Sequence, residues 1–210
     1  MSEIATIAAT IFKRAGKGRR FIVAIAGAPG AGKSTLSEKL LGLFPEGSAA
    51  VVPMDGFHFD DAVLHKRGLR ARKGAPETFD YRGFAALLRR IRSVEPDVAV
   101  PVFDRNMELA RAGASVIDSE VKFVLVEGNY LLLDEAPWNE LSPFFDFAIY
   151  LDLPRNELER RLMQRWRDHG KSDKEARDWI AGNDLPNIER VMQKRRPADL
   201  VVRSVLMTED

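Results

Sequence analysis

Runs of consecutive apolar residues alternate along this chain with segments in which apolar residues recur at helical spacing. Six runs are typical of buried strands: 21–26, 49–54, 98–103, 121–126, 146–151 and the shorter 200–202. Three stripes between them have the period of an amphipathic helix: Leu36, Leu40, Leu43 and Phe44; Phe84, Leu87, Leu88, Ile91 and Val94; and Leu158, Leu162 and Trp166. Strands that alternate with helices predict an α/β fold, a three-layer sandwich with a mostly parallel sheet and helices on both faces.

The segments around this pattern predict the domain organisation. Apolar residues at helical spacing within 1–20 predict an N-terminal amphipathic helix that lies on the domain. The arginine-rich segment 154–182 predicts a lid-like helical segment, and 68–78 lacks apolar periodicity and predicts a long loop. A chain of 210 residues fits one domain, so we predict a single domain over 1–210.

The first strand leads directly into a glycine-rich motif, and the first helical stripe follows it. Residues 27–34, GAPGAGKS, match G-x-x-x-x-G-K-[ST], the phosphate-binding P-loop. Glycines let successive backbone N–H groups turn toward an anion, and the positive end of the helix dipole points at the same phosphates. Lys33 then reaches the β and γ phosphates, and the Ser34 hydroxyl binds Mg²⁺. The predicted nucleotide-binding residues are Gly27, Ala28, Gly30, Ala31, Gly32, Lys33, Ser34 and Thr35. The alternative is a turn that binds nothing, and the strand before and helix after it argue against that.

Composition narrows the classes of partner and compartment. The 32 basic and 31 acidic residues leave a net charge of +1, which gives no polycationic surface for nonspecific nucleic-acid binding. No cysteine is present, which excludes disulfides and thiolate metal sites. No apolar run reaches the length of a membrane span, and no secretory signal pattern is present. We predict a cytoplasmic protein without a nucleic-acid or membrane partner, and docking of the N-terminal helix on a membrane surface stays open.

Two acidic residues follow predicted strands, where ligands of parallel sheets bind. Asp55 comes directly after the second strand, and there it either accepts a proton from an attacking hydroxyl or caps the following turn. Glu127 ends a strand of apolar residues in the Walker B pattern, which predicts a carboxylate that holds Mg²⁺ directly or through water.

Other polar residues near these strand ends are candidates for binding the acceptor. They are His58, Arg105, Asn129 and Tyr130. Arg105 either grips the acceptor, with Asp104 holding it in place, or forms a surface ion pair. Gly128 allows close backbone approach to a ligand. The three histidines do not have metal-site spacing.

The arginine-rich helix that begins after Pro154 supplies candidates for charge neutralisation. Arg161 and Arg165 are spaced i, i+4 and share a face. An arginine that a lid delivers stabilises charge on a transferred phosphoryl group, although such a helix is also typical of a solvated face.

Together these motifs resemble the phosphoribulokinase/uridine kinase family, which includes bacterial pantothenate kinase. The resemblance is carried by 27–34, 54–58, 74–80, 103–105 and 126–128. It is strongest to a bacterial branch labelled fructose transport system kinase or nucleoside triphosphate hydrolase. Phe103 stands where many uridine kinases have tyrosine, and Gly56 follows Asp55, which argues against uridine as the acceptor.

The resemblance implies ATP-dependent, Mg²⁺-assisted phosphorylation of a hydroxyl on a sugar, nucleoside or pantothenate-like metabolite. It implies Asp55 as the base, Lys33 on the phosphates, Ser34 and Glu127 at Mg²⁺, and Arg161 or Arg165 in the lid. Members of this family are commonly homodimers or larger oligomers, so the resemblance also implies a homodimer as one expected assembly. Two alternatives remain: a regulatory P-loop ATPase without a small-molecule acceptor, and a nucleoside monophosphate kinase, which would have glycine at the position of Ser34.

Overall fold

The computed structural model describes residues 2–18 and 20–203. Met1, Arg19 and residues 204–210 lie outside the described residues. The predicted N-terminal helical segment 1–20 and the predicted domain 1–210 are therefore described only in part.

A five-stranded parallel sheet forms the centre of the molecule. Its strands are β1 (Phe21–Gly27), β2 (Ala49–Pro53), β5 (Phe123–Gly128), β6 (Phe147–Leu151) and β7 (Leu200–Val202), in the spatial order β2-β5-β1-β6-β7. Every residue of β1, β5 and β6 is buried, as expected of parallel strands covered on both faces. The predicted α/β fold with a mostly parallel sheet is confirmed.

The two faces of the sheet carry separate hydrophobic clusters. Ile22 and Ala24 point to the cluster that includes α4 (Tyr81–Arg92), and Val23 and Ile25 point to the cluster on the opposite face. That second cluster includes α1 (Glu3–Ala15), α2 (Lys33–Leu41), α5 (Arg155–Asp168) and α7 (Leu185–Gln193). The shorter α3 (Asp61–Lys66) and α6 (Asp173–Trp179) lie in the connections. Successive β1 residues alternate between the clusters because side chains of a strand alternate between faces.

The apolar run 98–103 does not belong to the parallel sheet, and the prediction that it does is wrong. β3 (Val98–Asp104) pairs antiparallel with β4 (Leu109–Ile117) in a separate two-stranded sheet. Val98 and Val100 are buried whereas Ala99 between them is exposed, so only one face of β3 packs on the core. In the sequence, the run 98–103 is indistinguishable from a strand buried on both faces, because the residues that face outward are also apolar. β4 was not predicted because most of its residues are small or charged and exposed.

Other boundaries differ from the periodicity in ways that affect the site. β2 ends at Pro53, one residue before the end of the predicted run 49–54. The 3₁₀ turn that follows, Met54–Phe57, carries Asp55. α2 ends at Leu41, so the stripe member Leu43 is 47% exposed. The predicted loop 68–78 contains two 3₁₀ turns, Arg70–Arg72 and Pro76–Thr78, and a further one, Trp138–Phe144, precedes β6. A π-helical turn, Ile180–Asp184, joins α6 directly to α7.

Candidate active site

A cleft of about 870 Å³ opens at the carboxyl ends of β1, β2 and β5. The 27–34 motif forms one wall, the turn after β2 and the β3–β4 connection form another, and α5 with the chain up to α7 closes the third side. Ligands of open parallel sheets bind at this edge, where loops of several strands meet. The cleft is the main candidate for a functional site among the described residues.

The glycine-rich loop keeps a compact shape that larger residues would disrupt. Gly30 and Gly32 have φ values of 81° and 92°, in the left-handed region that favours glycine. A Cβ on Gly27 would lie 3.1 Å from the Leu151 carbonyl oxygen, so the loop also needs glycine where it leaves the sheet. The resulting strand–loop–helix junction points the N-terminus of α2 into the cleft, an arrangement that suits an anion.

Lys33, the first residue of α2, is buried inside this loop. Its ammonium donates to the Ala28 carbonyl oxygen at 3.1 Å and to Asn129 Oδ1 at 2.6 Å. Burial lowers the pKa of Lys33 to about 8, although the charges of Glu127 and Asp55 act in the opposite direction. A cation held this way, without a salt bridge among the described residues, is available to a phosphate group.

Ser34 and Glu127 place two oxygen ligands side by side. The Ser34 hydroxyl donates to Glu127 Oε1 at 3.3 Å, and both residues line the cleft. Burial, together with the charge of Asp55, raises the pKa of Glu127 to about 7. The described residues contain no group of three or more His, Cys, Asp or Glu side chains arranged for a metal ion. A hydroxyl and one carboxylate fit Mg²⁺, which usually takes one or two protein oxygens and completes its shell with phosphates and water.

Asp55 lies in the same cleft and is held by a cation from the β3–β4 connection. Arg105 Nη2 donates to Asp55 Oδ2 at 2.9 Å. Burial alone would raise the pKa of Asp55, but the surrounding His58, Arg105, Lys33 and Arg165 outweigh it and lower the pKa below its usual value. Asp55 is therefore ionised at neutral pH and able to accept a proton.

The neighbours of Asp55 fix its turn. His58 Nδ1 bonds to the Asp55 carbonyl oxygen at 2.9 Å, and burial lowers the pKa of His58. A Cβ on Gly56 would lie 2.2 Å from the Pro101 carbonyl oxygen, so glycine permits the turn to pack directly on β3. Asp104 pairs with Arg111 at 3.4 Å, so the interpretation that it holds Arg105 is wrong.

The two arginines singled out on α5 differ in their partners. Arg161 Nε donates to Glu157 Oε1 at 2.7 Å, and its Nη1 lies 3.4 Å from the position of a Cβ on Gly32. Arg165 also lines the cleft, has no ion-pair partner among the described residues, and lies over the ring of Trp166. Burial lowers the pKa of Arg165, and the charge of Arg105 acts in the same direction. Of the two arginines, Arg165 is therefore the one whose guanidinium is available to a new anion.

Two residues at the carboxyl end of β5, Gly128 and Tyr130, contact the interior instead of the cleft. Tyr130 is fully buried, and its hydroxyl donates to the Gly74 carbonyl oxygen at 2.6 Å, so the prediction that it lines an acceptor pocket does not match its position. Gly128 approaches Met54, whose Cβ would lie 2.6 Å from a Cβ on Gly128, and its role is therefore packing and not approach to a ligand. Asn129 lines the cleft, where its Oδ1 accepts the hydrogen bond from Lys33, and its binding of an acceptor stays a prediction.

Sequence reasoning missed several polar residues of the cleft. Lys73 is buried and pairs with Asp61 and with Glu108, both at 2.8 Å. Asp184 ends the π-helical turn, and its Oδ2 accepts a hydrogen bond from Trp166 Nε1 at 2.7 Å. Neither residue belongs to a recognisable motif, and no pattern in the sequence indicates that these loops meet.

Asp184 gives a prediction for stability. Burial raises its pKa from 3.8 to about 6, so the folded state holds a proton that the unfolded chain releases between those values, and stability falls as the pH rises through this window. Asp184→Asn keeps an oxygen for Trp166 and removes the buried charge. We expect it to raise the free energy of unfolding by about 1–3 kcal/mol at pH 7.5 and by much less at pH 4, measured by urea denaturation. An equal gain at both pH values would contradict this.

The described residues contain no helix long and apolar enough to cross a bilayer.

Three features together define a P-loop kinase. They are the phosphate loop at the end of the central strand, an acid at the end of the adjacent strand and the helix-covered parallel sheet. The chain belongs to the Phosphoribulokinase / Uridine kinase family, whose family model matches residues 22–209.

Three proteins illustrate this relationship. The crystal structure of a "putative fructose transport system kinase" from Silicibacter sp. TM1040 superposes with a TM-score of 0.88 and 42% identity, over 96% of this chain and 100% of that chain. The uncharacterized protein YggC of Escherichia coli (strain K12) is 40% identical over 91% of this chain and 80% of its own. Pantothenate kinase of Bacillus subtilis (strain 168) is 30% identical over 70% of this chain. The matched region covers 50% of the length of that pantothenate kinase. The resemblance seen in the motifs is thereby confirmed at the level of the family.

Proposed function

We propose that this protein is an ATP-dependent kinase that transfers the γ-phosphoryl group to a hydroxyl of a sugar, nucleoside or pantothenate-like metabolite. The observation that carries the proposal is that Asp55, an ionised carboxylate oriented by Arg105, lines the same cleft as Lys33 and the phosphate loop. A regulatory ATPase has no need of a carboxylate positioned to receive a hydroxyl proton.

The proposed roles follow from position and charge. The backbone N–H groups of 27–34 and the Lys33 ammonium bind the phosphates, with Thr35 beside them on the first turn of α2. Ser34 and Glu127 hold Mg²⁺, which neutralises charge on the phosphate oxygens when bound. The acceptor O–H donates to Asp55, its oxygen bonds to the γ-phosphorus, the bond to the β–γ bridging oxygen breaks, and the proton passes to Asp55. His58, Arg105 and Asn129 border the acceptor.

Arg165 is proposed to stabilise the transferred phosphoryl group, and Arg161 to support nucleotide binding. Because Arg165 has no ion-pair partner among the described residues, Arg165→Met is expected to lower kcat by roughly 10²–10³. Arg161→Met should act mainly on KM for ATP, since Arg161 is paired with Glu157 beside Gly32. Arg167→Met is the control, because Arg167 is exposed and pairs with Asp173. Steady-state kinetics with varied ATP separates these effects, and equal kcat values for the Arg165 and Arg167 variants would refute the assignment.

The test of the function is an acceptor screen. Purified protein with ATP and Mg²⁺ is incubated with sugars, polyols, nucleosides, pantothenate, glycerate and nucleoside monophosphates. ADP release is measured, and products are verified by mass spectrometry. We expect at least one hydroxyl acceptor to raise ADP release above the background hydrolysis of ATP. Turnover that no acceptor raises would leave the regulatory ATPase, and selective use of nucleoside monophosphates would indicate the monophosphate kinase. Homodimer formation and a cytoplasmic location stay predictions.

A further inference from the structure

Lys73 is a buried cation of the cleft that the proposed chemistry does not use. It is 7% exposed, and three oxygen atoms surround its ammonium: Asp61 Oδ1 at 2.8 Å, Glu108 Oε1 at 2.8 Å and the Glu108 carbonyl oxygen at 3.2 Å. An ammonium has three N–H groups and no acceptor, so these contacts account for all of its donors. A ligand could bind the Lys73 ammonium only by displacing one of them. The arrangement therefore indicates a residue that holds segments of the protein together.

The backbone that carries Lys73 is itself fixed. Its carbonyl oxygen accepts a hydrogen bond from Asn183 Nδ2 at 2.7 Å, and Asn183 is 3% exposed. The next residue, Gly74, donates its N–H to Thr78 Oγ1 at 3.0 Å, and its carbonyl oxygen accepts from the hydroxyl of the buried Tyr130 at 2.6 Å. Lys73 therefore extends its ammonium from an anchored position.

The segment that Lys73 holds is the β3–β4 connection, residues 105–108. Glu108 has a φ of 54°, in the left-handed region that residues with side chains rarely adopt, and such a backbone persists only where surrounding contacts fix it. Met107 beside it is 60% exposed, so apolar burial contributes little there. Hydrogen bonds from two N–H groups of the connection to Asp104 Oδ1 shape the turn but do not tie it to another element. The contacts from Lys73 to the backbone and the carboxylate of Glu108 supply that tie.

The position of this connection matters because it carries Arg105. Arg105 Nη2 donates to Asp55 Oδ2 at 2.9 Å, and the two side chains are 45% and 25% exposed. An ion pair this open to solvent contributes little by itself, since water competes for both charges and a long side chain has many rotamers. The contact therefore depends on where the backbone places Arg105. Glu108, three residues later, is the point at which Lys73 fixes that backbone.

From these contacts we infer that Lys73 is a positioning residue for phosphoryl transfer, which holds the β3–β4 connection so that Arg105 keeps the Asp55 carboxylate oriented toward the acceptor hydroxyl. The inference rests on the proposed kinase function and adds a residue that acts on the reaction only through Arg105. Displacement of an orienting group by about 1 Å can lower a rate roughly 100-fold. Removal of Lys73 should therefore reduce kcat and leave ATP binding unchanged.

A double-mutant cycle tests whether Lys73 acts through Arg105. The kcat and the KM for ATP are measured for the full-length wild type, Lys73→Met, Arg105→Gln and the double variant, with the acceptor that gives the highest turnover in the screen. Each single change is expected to lower kcat roughly 10- to 100-fold without changing the KM for ATP. In the Arg105→Gln background, Lys73→Met should lower kcat by less than about threefold, because both changes remove the same contact. Lys174→Met, which removes an exposed ammonium paired with Asp178 at 2.6 Å, is the control and should retain kcat.

Movement of the connection is measured separately from activity. The chain has no cysteine, so Met107→Cys provides a single site for a nitroxide spin label, and its EPR spectrum should show a more mobile label when Lys73→Met is added. The partners of Lys73 tolerate its removal, because Asp61 keeps its ion pair with Arg70 at 2.7 Å and the Glu108 side chain is 52% exposed. Glu108→Ala is a second variant in case Lys73→Met lowers the midpoint of urea denaturation. It should also increase label mobility, with a smaller loss of kcat, since the backbone contact from Lys73 remains.

Each outcome decides the inference. A more mobile label, together with a loss of kcat that disappears in the Arg105→Gln background, supports it. An unchanged spectrum in both Lys73→Met and Glu108→Ala overturns the inference and leaves the kinase assignment standing. An equal loss of kcat in both backgrounds also overturns it, because Lys73 would then act on the acceptor directly. Absence of phosphoryl transfer to every acceptor of the screen overturns the proposed function and the positioning role together.

Discussion

Asp55→Asn is expected to lower kcat for phosphoryl transfer by roughly 10²–10⁴ while leaving nucleotide affinity unchanged. Asparagine has nearly the same shape as aspartate and keeps an oxygen for the Arg105 hydrogen bond, but it cannot take the proton of the attacking hydroxyl. Initial rates with the acceptor from the screen measure kcat, and titration with a fluorescent ATP analogue measures affinity for nucleotide.

The matched control is Asp104→Asn. Asp104 also forms an ion pair, with Arg111, but it does not line the cleft. Its variant should retain kcat. An Asp55→Asn enzyme that keeps more than about one tenth of wild-type kcat would show that Asp55 is not the base, since general bases normally contribute at least 10².

Lys33→Met is expected to lower kcat by roughly 10²–10³ and to weaken nucleotide binding, because it removes the cation that the loop holds for the phosphates. The same variant should unfold at higher denaturant concentration near pH 7. The pKa of Lys33 is lowered to about 8 in the folded protein, so its buried charge opposes folding below that pH, and this penalty disappears as the pH rises through 8 toward the unfolded value of 10.5.

A loss of activity combined with a gain of stability cannot come from unfolding. Lys39→Met, an exposed position on the same helix α2, is the control and should change neither kcat nor nucleotide affinity. Urea denaturation at pH 7 and pH 9.5 measures the stability difference, which should shrink at the higher pH. An inactive variant that is also less stable at pH 7 would contradict this account of Lys33.

The glycine-rich loop of the site was predictable from the sequence because its structure depends on neighbouring residues. The loop 27–34 lies between a buried strand and a helix that are contiguous with it, and its shape depends on glycines within a few residues. Glu127 and Asp55 were located by the same reasoning, since the ends of parallel strands meet at one edge of the sheet. The strands of the parallel sheet were predictable from apolar runs. A strand that is covered on both faces has apolar residues at every position, without alternating polar ones.

Tertiary structure decided which side chains face one another across the cleft. An apolar run such as 98–103 has the same composition whether its strand joins a parallel sheet or an antiparallel hairpin, and the hairpin is what carries Arg105 to Asp55, 50 positions earlier in the chain. Trp166 and Asp184 meet because the connection 169–172 folds α6 and the π-helical turn that continues it back against α5. Periodicity reports how each segment is buried and carries no information on which segments approach each other. The sequence by itself therefore determined where the glycine-rich loop lies, and the packing of distant segments determined which side chains face that loop across the cleft.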